Sequence, residues 1–461
     1  MRETLIGVSI KLWLLKTLRL RNCKIFYRGL VISGVEILVE DGKISRLTKL
    51  KINKPVDETI DLNGLLVIPG LIDVHVHLRG LNLSYKEDYD TGTLAAAFGG
   101  ISTVLDMPNT DPATENAETL RSKIETARPK IYVNVGFYSF IPEKLTEISR
   151  LVAEGVFGFK VFMHRVMPGY KFNSLEDLRK PFEAIGRTGL PVLVHAERRE
   201  TYEAVKHANP NGGLEAFEAA LSEESENESV DELTAMLRKI KPVKLHFCHI
   251  TSPVSLKRIA EAKAEGLSVT CEVTPHHLLL SKKNYETLGI YGLVDPPLRS
   301  EGCVEGLWVG VRKTMVDCIA SDHAPHTLEE KSIGNIWSIK TGFPGLETLL
   351  PLMLDCVNRG WLSLSKLVEL TSQNPAKIFR IAGRGSIEIG YWADLTVVDL
   401  NGEFRIDPSE FKSKAKHSPF KGWKGRGIVK GVLVNGEPVF LNGEILSKPG
   451  VGRVIKPGVW V

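Results

Sequence analysis

The sequence predicts an α/β protein: a (β/α)8 TIM-type barrel with a small β-sandwich domain formed from both termini. Three observations carry that expectation. Asn-Gly and Asp-Gly dipeptides punctuate apolar runs at both ends of the chain, the strongest short-range hairpin signal. Between them, eight short apolar runs alternate with helix-length segments. That alternation alone equally suits an open doubly wound sheet. Reactive side chains recur, however, at the C-terminal ends of several runs, where a barrel places its active site.

The segment Met1–Leu20 has apolar character but is cut by Lys11 and Lys16 and lacks a small-residue cleavage site. It reads as a disordered or packed extension through residue 17, with a targeting or anchoring segment as the alternative. Val35–Val39 then leads into Asp41-Gly42, and Leu65–Ile68 follows Asn63-Gly64, so 18–68 is expected to form the first part of the β-domain. Barrel strands are expected near 71–78, 100–107, 131–139, 156–163, 191–196, 244–250, 267–273 and 317–322, within a barrel spanning 69–384. Asp394–Val398 and the strands punctuated by Asn435-Gly436 and Asn442-Gly443 complete the β-domain over 385–461.

Composition narrows the function class. The 461 residues carry 59 Lys plus Arg against 55 Asp plus Glu, a net charge of +4 with no electrostatic footprint for nucleic acid. Hydrophobic residues at 43% and charged residues at 25% exclude disorder and a disulfide scaffold. None of the six cysteines forms a CxxC pair, which favours a reduced, cytoplasmic protein. No apolar run reaches the ~18–20 residues of a membrane helix.

The chemistry begins at Ile72-Asp73-Val74-His75-Val76-His77-Leu78-Arg79. Strand alternation would put Asp73, His75, His77 and Arg79 on the barrel axis and Ile72, Val74, Val76 and Leu78 toward the helices. Two imidazoles on one strand face can share a metal ion, although HxH alone is a weak motif. Other strand ends then supply His195, His249 and Asp322. One zinc accepts three protein ligands plus water, so this excess of donors points to two ions. Lys160 lies inside the apolar run Phe157–Met163. Burial would lower its pKa, and a neutral amine can capture carbon dioxide as a carbamate that bridges two metals. Snorkelling or pairing with an acid is the equal alternative at this stage.

Read together, His75–Arg79 (HVHLR), Asp106–Thr110 (DMPNT), VHAE at 194–197, FCHI at 247–250, VTPHHL at 273–278, DPPLR at 295–299 and SDHAPH at 321–326 form an ordered set. With PGLETLLPL at 344–352, NPAKIF at 374–379 and Ala393-Asp394-Leu395, the chain resembles the dihydroorotases of the amidohydrolase superfamily from about residue 18 to about 441. The resemblance implies reversible closure of N-carbamoyl-L-aspartate to L-dihydroorotate in pyrimidine biosynthesis, with two Zn2+ ions per chain. It implies that His75, His77 and Asp322 hold one ion, His195 and His249 the other, and carboxylated Lys160 bridges them. Asp322 would also be the catalytic proton shuttle. Arg79, Asn109 and His326 match the positions that grip the substrate carboxylate, a role suited to a bidentate guanidinium and two directional donors. A homo-oligomer or a complex with aspartate transcarbamoylase is compatible with the resemblance.

Some features stand apart from that pattern. Asp295 replaces the family's usual Asn before Pro296-Pro297-Leu298-Arg299, and Arg299 is the expected neutralising partner. The segment His164–Tyr170 would sit over the pocket as a lid or an immobile rim, with a turn at Pro168-Gly169. Glu223–Glu228 reads as a solvated helix start. The rival functions are another cyclic amidohydrolase, such as allantoinase or dihydropyrimidinase, and a non-catalytic barrel partner. The acid-gripping residues argue against the first, and the complete ligand set against the second.

Overall fold

A computed structural model describes residues 17–240, 242–332 and 334–458. The expected extension, apart from Thr17, lies outside the described residues. The N-terminal strands are β1 (Thr17–Tyr27), β2 (Leu30–Glu40), β3 (Lys43–Thr48), β4 (Glu58–Asp61) and β5 (Leu66–Pro69). The barrel strands follow as β6 (Leu71–Val76), β7 (Ile101–Asp106), β8 (Asn134–Phe137), β9 (Ser139–Phe140), β10 (Phe159–Phe162), β11 (Pro191–His195), β12 (Lys244–Phe247), β13 (Val269–Val273) and β14 (Cys318–Ile319). The C-terminal strands are β15 (Leu395–Arg405), β16 (Lys424–Val434), β17 (Glu437–Leu441) and β18 (Glu444–Ile445).

Both chain ends enter one sheet of order β18-β17-β16-β15-β5-β1-β2-β3, with β4 beside β1. All four dipeptides singled out in the sequence adopt positive φ: Asp41-Gly42, Asn63-Gly64, Asn435-Gly436 and Asn442-Gly443. The sheet curls on itself, so that Ala393 N donates to Gly42 O at 2.9 Å. At Gly42, with φ 76°, a Cβ would meet the Asn435 carbonyl oxygen at 2.4 Å, so only glycine fits there. Strand alternation divides the two faces. Leu20, Ile37, Val67, Leu395 and Leu433 form the inner core, while Leu66, Ile68, Val432 and Phe440 pack with barrel residues such as Ala95 and Leu350.

Each of the eight predicted barrel runs contains a strand, and the barrel fold is borne out. β8 and β9 together fill one barrel position, β8 pairing with β7 and β9 with β10. The last strand closes on the first through a parallel bridge between Val76 and His323, with His77 N donating to His323 O at 2.8 Å. On β11, Val192 and Val194 pack with Phe182 and Ile185 of the helix Arg179–Gly186, whereas Leu193 joins Phe157, Cys248 and Cys318 in the barrel interior.

The expected alternation of β6 needs correction. Ile72 and Val74 lie in the interior cluster, and only Val76 and Leu78 pack toward the helices. A register irregularity between Asp73 and Val76 shifts the strand's side chains relative to β7. Such a break reassigns faces within one strand. Asp73 then turns to Ser321 N, which donates to it at 3.1 Å, and its carboxyl is pushed up to about 7 by burial.

Asp394 ties sheet to barrel. Its carboxylate is paired with Arg384, accepts from Asn134 of β8 at 3.0 Å and from Asn435 N at 2.6 Å, and is 2% exposed. Removing one partner of a buried ion pair strands the other charge. Arg384→Met should therefore cost about 3–5 kcal/mol of stability in chemical denaturation. A loss below about 1 kcal/mol would show that Asp394 does not depend on this arginine. No helix among the described residues is long and apolar enough to cross a membrane.

Candidate active site

His75 and His77 stand at the C-terminal end of β6, 1% and 6% exposed. The Nδ1 atom of His75 is held by the Glu272 carboxylate on β13, and His77 Nδ1 donates to Asn109 Oδ1 at 2.6 Å. An acceptor on Nδ1 keeps the proton there and leaves Nε2 with a free lone pair. Both Nε2 atoms face the same oxygen, Asp322 Oδ1, at 3.3 Å and 3.2 Å. Burial lowers the basicity of both imidazoles, which favours the neutral form that a metal ligand requires.

His195 ends β11, and His249 lies two residues beyond β12, with ring centroids 4.4 Å apart. His195 Nε2 faces Glu197 at 2.5 Å and Asp295 at 3.3 Å, so it carries the proton and Nδ1 is free. His249 Nδ1 is buried without a hydrogen-bond partner. An orphaned buried imidazole nitrogen is a costly feature that a bound ion would relieve. Arg79, His249 and Asp322 all have positive φ, at 59°, 33° and 46°. Such backbone is strained for non-glycine residues and concentrates at functional sites.

Lys160, on β10, is 1% exposed. Its Nζ lies 2.9 Å from Cys248 Sγ and 4.9 Å from the Phe162 ring centroid, and it pairs with no carboxylate among the described residues. The snorkelling and acid-paired alternatives are therefore absent. Its charge bears on His75, His249 and Asp322, so the lysine sits among the candidate ligands. Imidazoles, carboxylates and an unpaired buried amine suit a pair of divalent ions of zinc character.

Arg79, Asn109 and His326, expected to grip a carboxylate, border a cavity of about 300 Å3 that His75, His77, His195, His249 and Asp322 also line. Arg79 is 6% exposed, with Nη2 3.0 Å from His326 Nε2. Because arginine can only donate, His326 accepts through Nε2 and donates through Nδ1 to Glu330 at 3.2 Å. Burial lowers the Arg79 pKa to about 10, which leaves it cationic at neutrality. Asn109 spends its carbonyl on His77 and keeps its amide N–H groups for a ligand. Lys86 also lines the cavity and pairs with Glu330 at 2.7 Å. Neither Lys86 nor Glu330 was singled out in the sequence.

Two expectations are corrected here. Asp295 is neutralised by Arg165, not by Arg299. Arg299 instead lies 3.4 Å from Glu197 and donates to Thr251 at 2.8 Å. The acidic run does start a helix, Glu223–Lys239, but it is not wholly solvated. Glu226 is 2% exposed and accepts from Thr251 N and Ser252 N, fixing the loop just after His249. The segment after β10 turns at Gly169 (φ 88°), with Tyr170 N bound to Ile141 O at 2.8 Å, and Arg165 reaches the cavity. Glu272 was missed, yet it carried the same signal as Lys160: a charged residue inside the apolar strand Val269–Val273.

The barrel and its ring of imidazole and carboxylate donors define an enzyme of the amide-hydrolysing barrel class. The chain belongs to the amidohydrolase family, whose family model matches residues 66–439. It is 37% identical to a dihydroorotase of Methanothermobacter thermautotrophicus, over 95% of this chain and 97% of that protein. A dihydroorotase of Pyrococcus abyssi is 38% identical over 94% of this chain and 98% of its own length. An L-hydantoinase of Paenarthrobacter aurescens is 33% identical over 94% and 97%. Among solved structures, the L-hydantoinase of Arthrobacter aurescens superposes with a TM-score of 0.91 at 31% identity, covering 96% of this chain and 100% of that one. The family resemblance read from the motifs is thus borne out.

Proposed function

We propose that this chain is a dihydroorotase, interconverting N-carbamoyl-L-aspartate and L-dihydroorotate with two zinc ions. The observation that carries this is the cavity that places Arg79, Asn109 and His326 beside His75, His77 and Asp322. An acidic ring needs both a carboxylate grip and a hydrolytic centre within one small pocket. Zinc bound there would polarise the ring carbonyl and lower the pKa of a bound water. Arg79 offers its fork to the substrate carboxylate, with Asn109 and His326 fixing its orientation. Asp322 moves a proton to the leaving ring nitrogen on opening and takes it back on closure.

Dihydroorotate turnover by purified protein, with chelator and zinc add-back, tests this. Activity lost with chelator and restored by zinc is the expected result. The resemblance to L-hydantoinase supplies the rival substrate class. Zinc-loaded protein that opens neutral hydantoins and leaves dihydroorotate untouched would overturn the assignment.

A further inference from the structure

The Nε2 edge of His195 faces two carboxylates, Glu197 at 2.5 Å and Asp295 at 3.3 Å. Two buried acids against one imidazole repel each other unless each has its own cation. Glu197, fully buried, has Arg299 at 3.4 Å. Asp295 has Arg165, whose Nη2 contacts Oδ2 directly while its Nε reaches His164 Nε2 at 2.5 Å. His164, His195, Glu197 and Asp295 place ligand atoms within 4.8 Å of one another, a set that could hold a metal ion. The guanidinium of Arg165 already supplies a cation to that set. Arg165 comes from the segment after β10 and lines the cavity, with its side chain 35% exposed. It therefore links the pocket rim to the orientation of His195.

We propose that Arg165 is a positioning residue: its planar guanidinium compensates Asp295, so that Glu197 holds His195 Nε2–H with Asp295 settled beside it, and Nδ1 is turned into the pocket. The inference deepens the functional reading above and rests on it for His195 as a metal ligand. A lysine would keep the charge but lose the fork that spans Asp295 and His164. Without any cation at 165, Asp295 is left buried and unpaired beside the imidazole, and the easiest relief is a shift of Asp295 or His195.

A double-mutant cycle tests this, with ions bound per chain, kcat and KM measured for R165M, D295N and R165M/D295N. Arg165→Met should weaken the zinc assigned to His195 and His249 and lower kcat by about tenfold or more, the range for loss of a ligand-orienting partner. KM for dihydroorotate should change by less than about threefold, because Arg79 still grips the carboxylate. The double variant should recover most of the loss, and R165K should recover part of it. Additive effects in the double variant, or R165M with unchanged zinc affinity and kcat, would overturn the proposal. Ring-nitrogen NMR of His195 in zinc-free protein gives a readout independent of zinc and turnover. At a pH above the raised pKa of His195, wild type should show the neutral Nε2–H tautomer, and R165M a mixture. A wild-type protein that binds no zinc defeats the functional reading alone, and the tautomer then decides the role of Arg165: an unchanged spectrum in R165M removes it.

Discussion

Asp322→Asn should lower kcat for dihydroorotate by about 10²–10⁴-fold, the range expected for loss of a positioned proton-transfer group. Asp322 is 7% exposed, at the strand end where the barrel closes, and its Oδ1 is shared between His75 Nε2 and His77 Nε2. Burial raises its pKa, which makes it a better proton acceptor than an exposed carboxylate. Asparagine keeps the shape and one carbonyl oxygen but cannot carry the proton. Ion content and kcat should therefore separate: the variant retains part of its zinc and loses nearly all turnover. Loss of zinc in proportion to activity would reduce Asp322 to a ligand. A variant within about tenfold of wild type would remove it from the proton path.

Local features were legible in the sequence and long-range pairings were not. The Asp-Gly and Asn-Gly hairpins were readable because positive φ is a property of the dipeptide itself. The barrel runs were readable because burial on both faces leaves continuous apolar stretches. Alternation failed on β6, where a register break between Asp73 and Val76 sends Val74 inward with His75, an irregularity that no local residue announces. Site residues at strand ends stood out because polar side chains interrupt apolar runs. Their partners did not: Glu272 lies 197 positions from His75, and Asp295 lies 130 from Arg165. Asp295 was expected to find Arg299, four residues away, because proximity in sequence was the only guide. The fold gives Arg299 to Glu197 and brings Arg165 across the barrel mouth instead.

Lys160→Met should abolish the second large contribution to turnover, by about 10²–10³-fold, while leaving the protein at least as stable. The two halves of that expectation have one cause. A lysine 1% exposed, with only a thiol at 2.9 Å, is an expensive place for an ammonium group. Methionine has similar volume and no charge, so packing survives. The amine is worth keeping only if it becomes something else. Addition of carbon dioxide to the neutral Nζ forms an N–C bond and releases one proton, converting a would-be cation into an anion with two ligand oxygens. Such an anion would balance two divalent ions, and its loss should take ion content from two per chain to one or fewer. Native mass spectrometry of the wild type should show the mass of one added carbon dioxide, lost on acidification and missing from Lys160→Met. A wild type without that increment, together with a methionine variant that still holds two ions, would leave Lys160 as a buried packing residue and require another bridge.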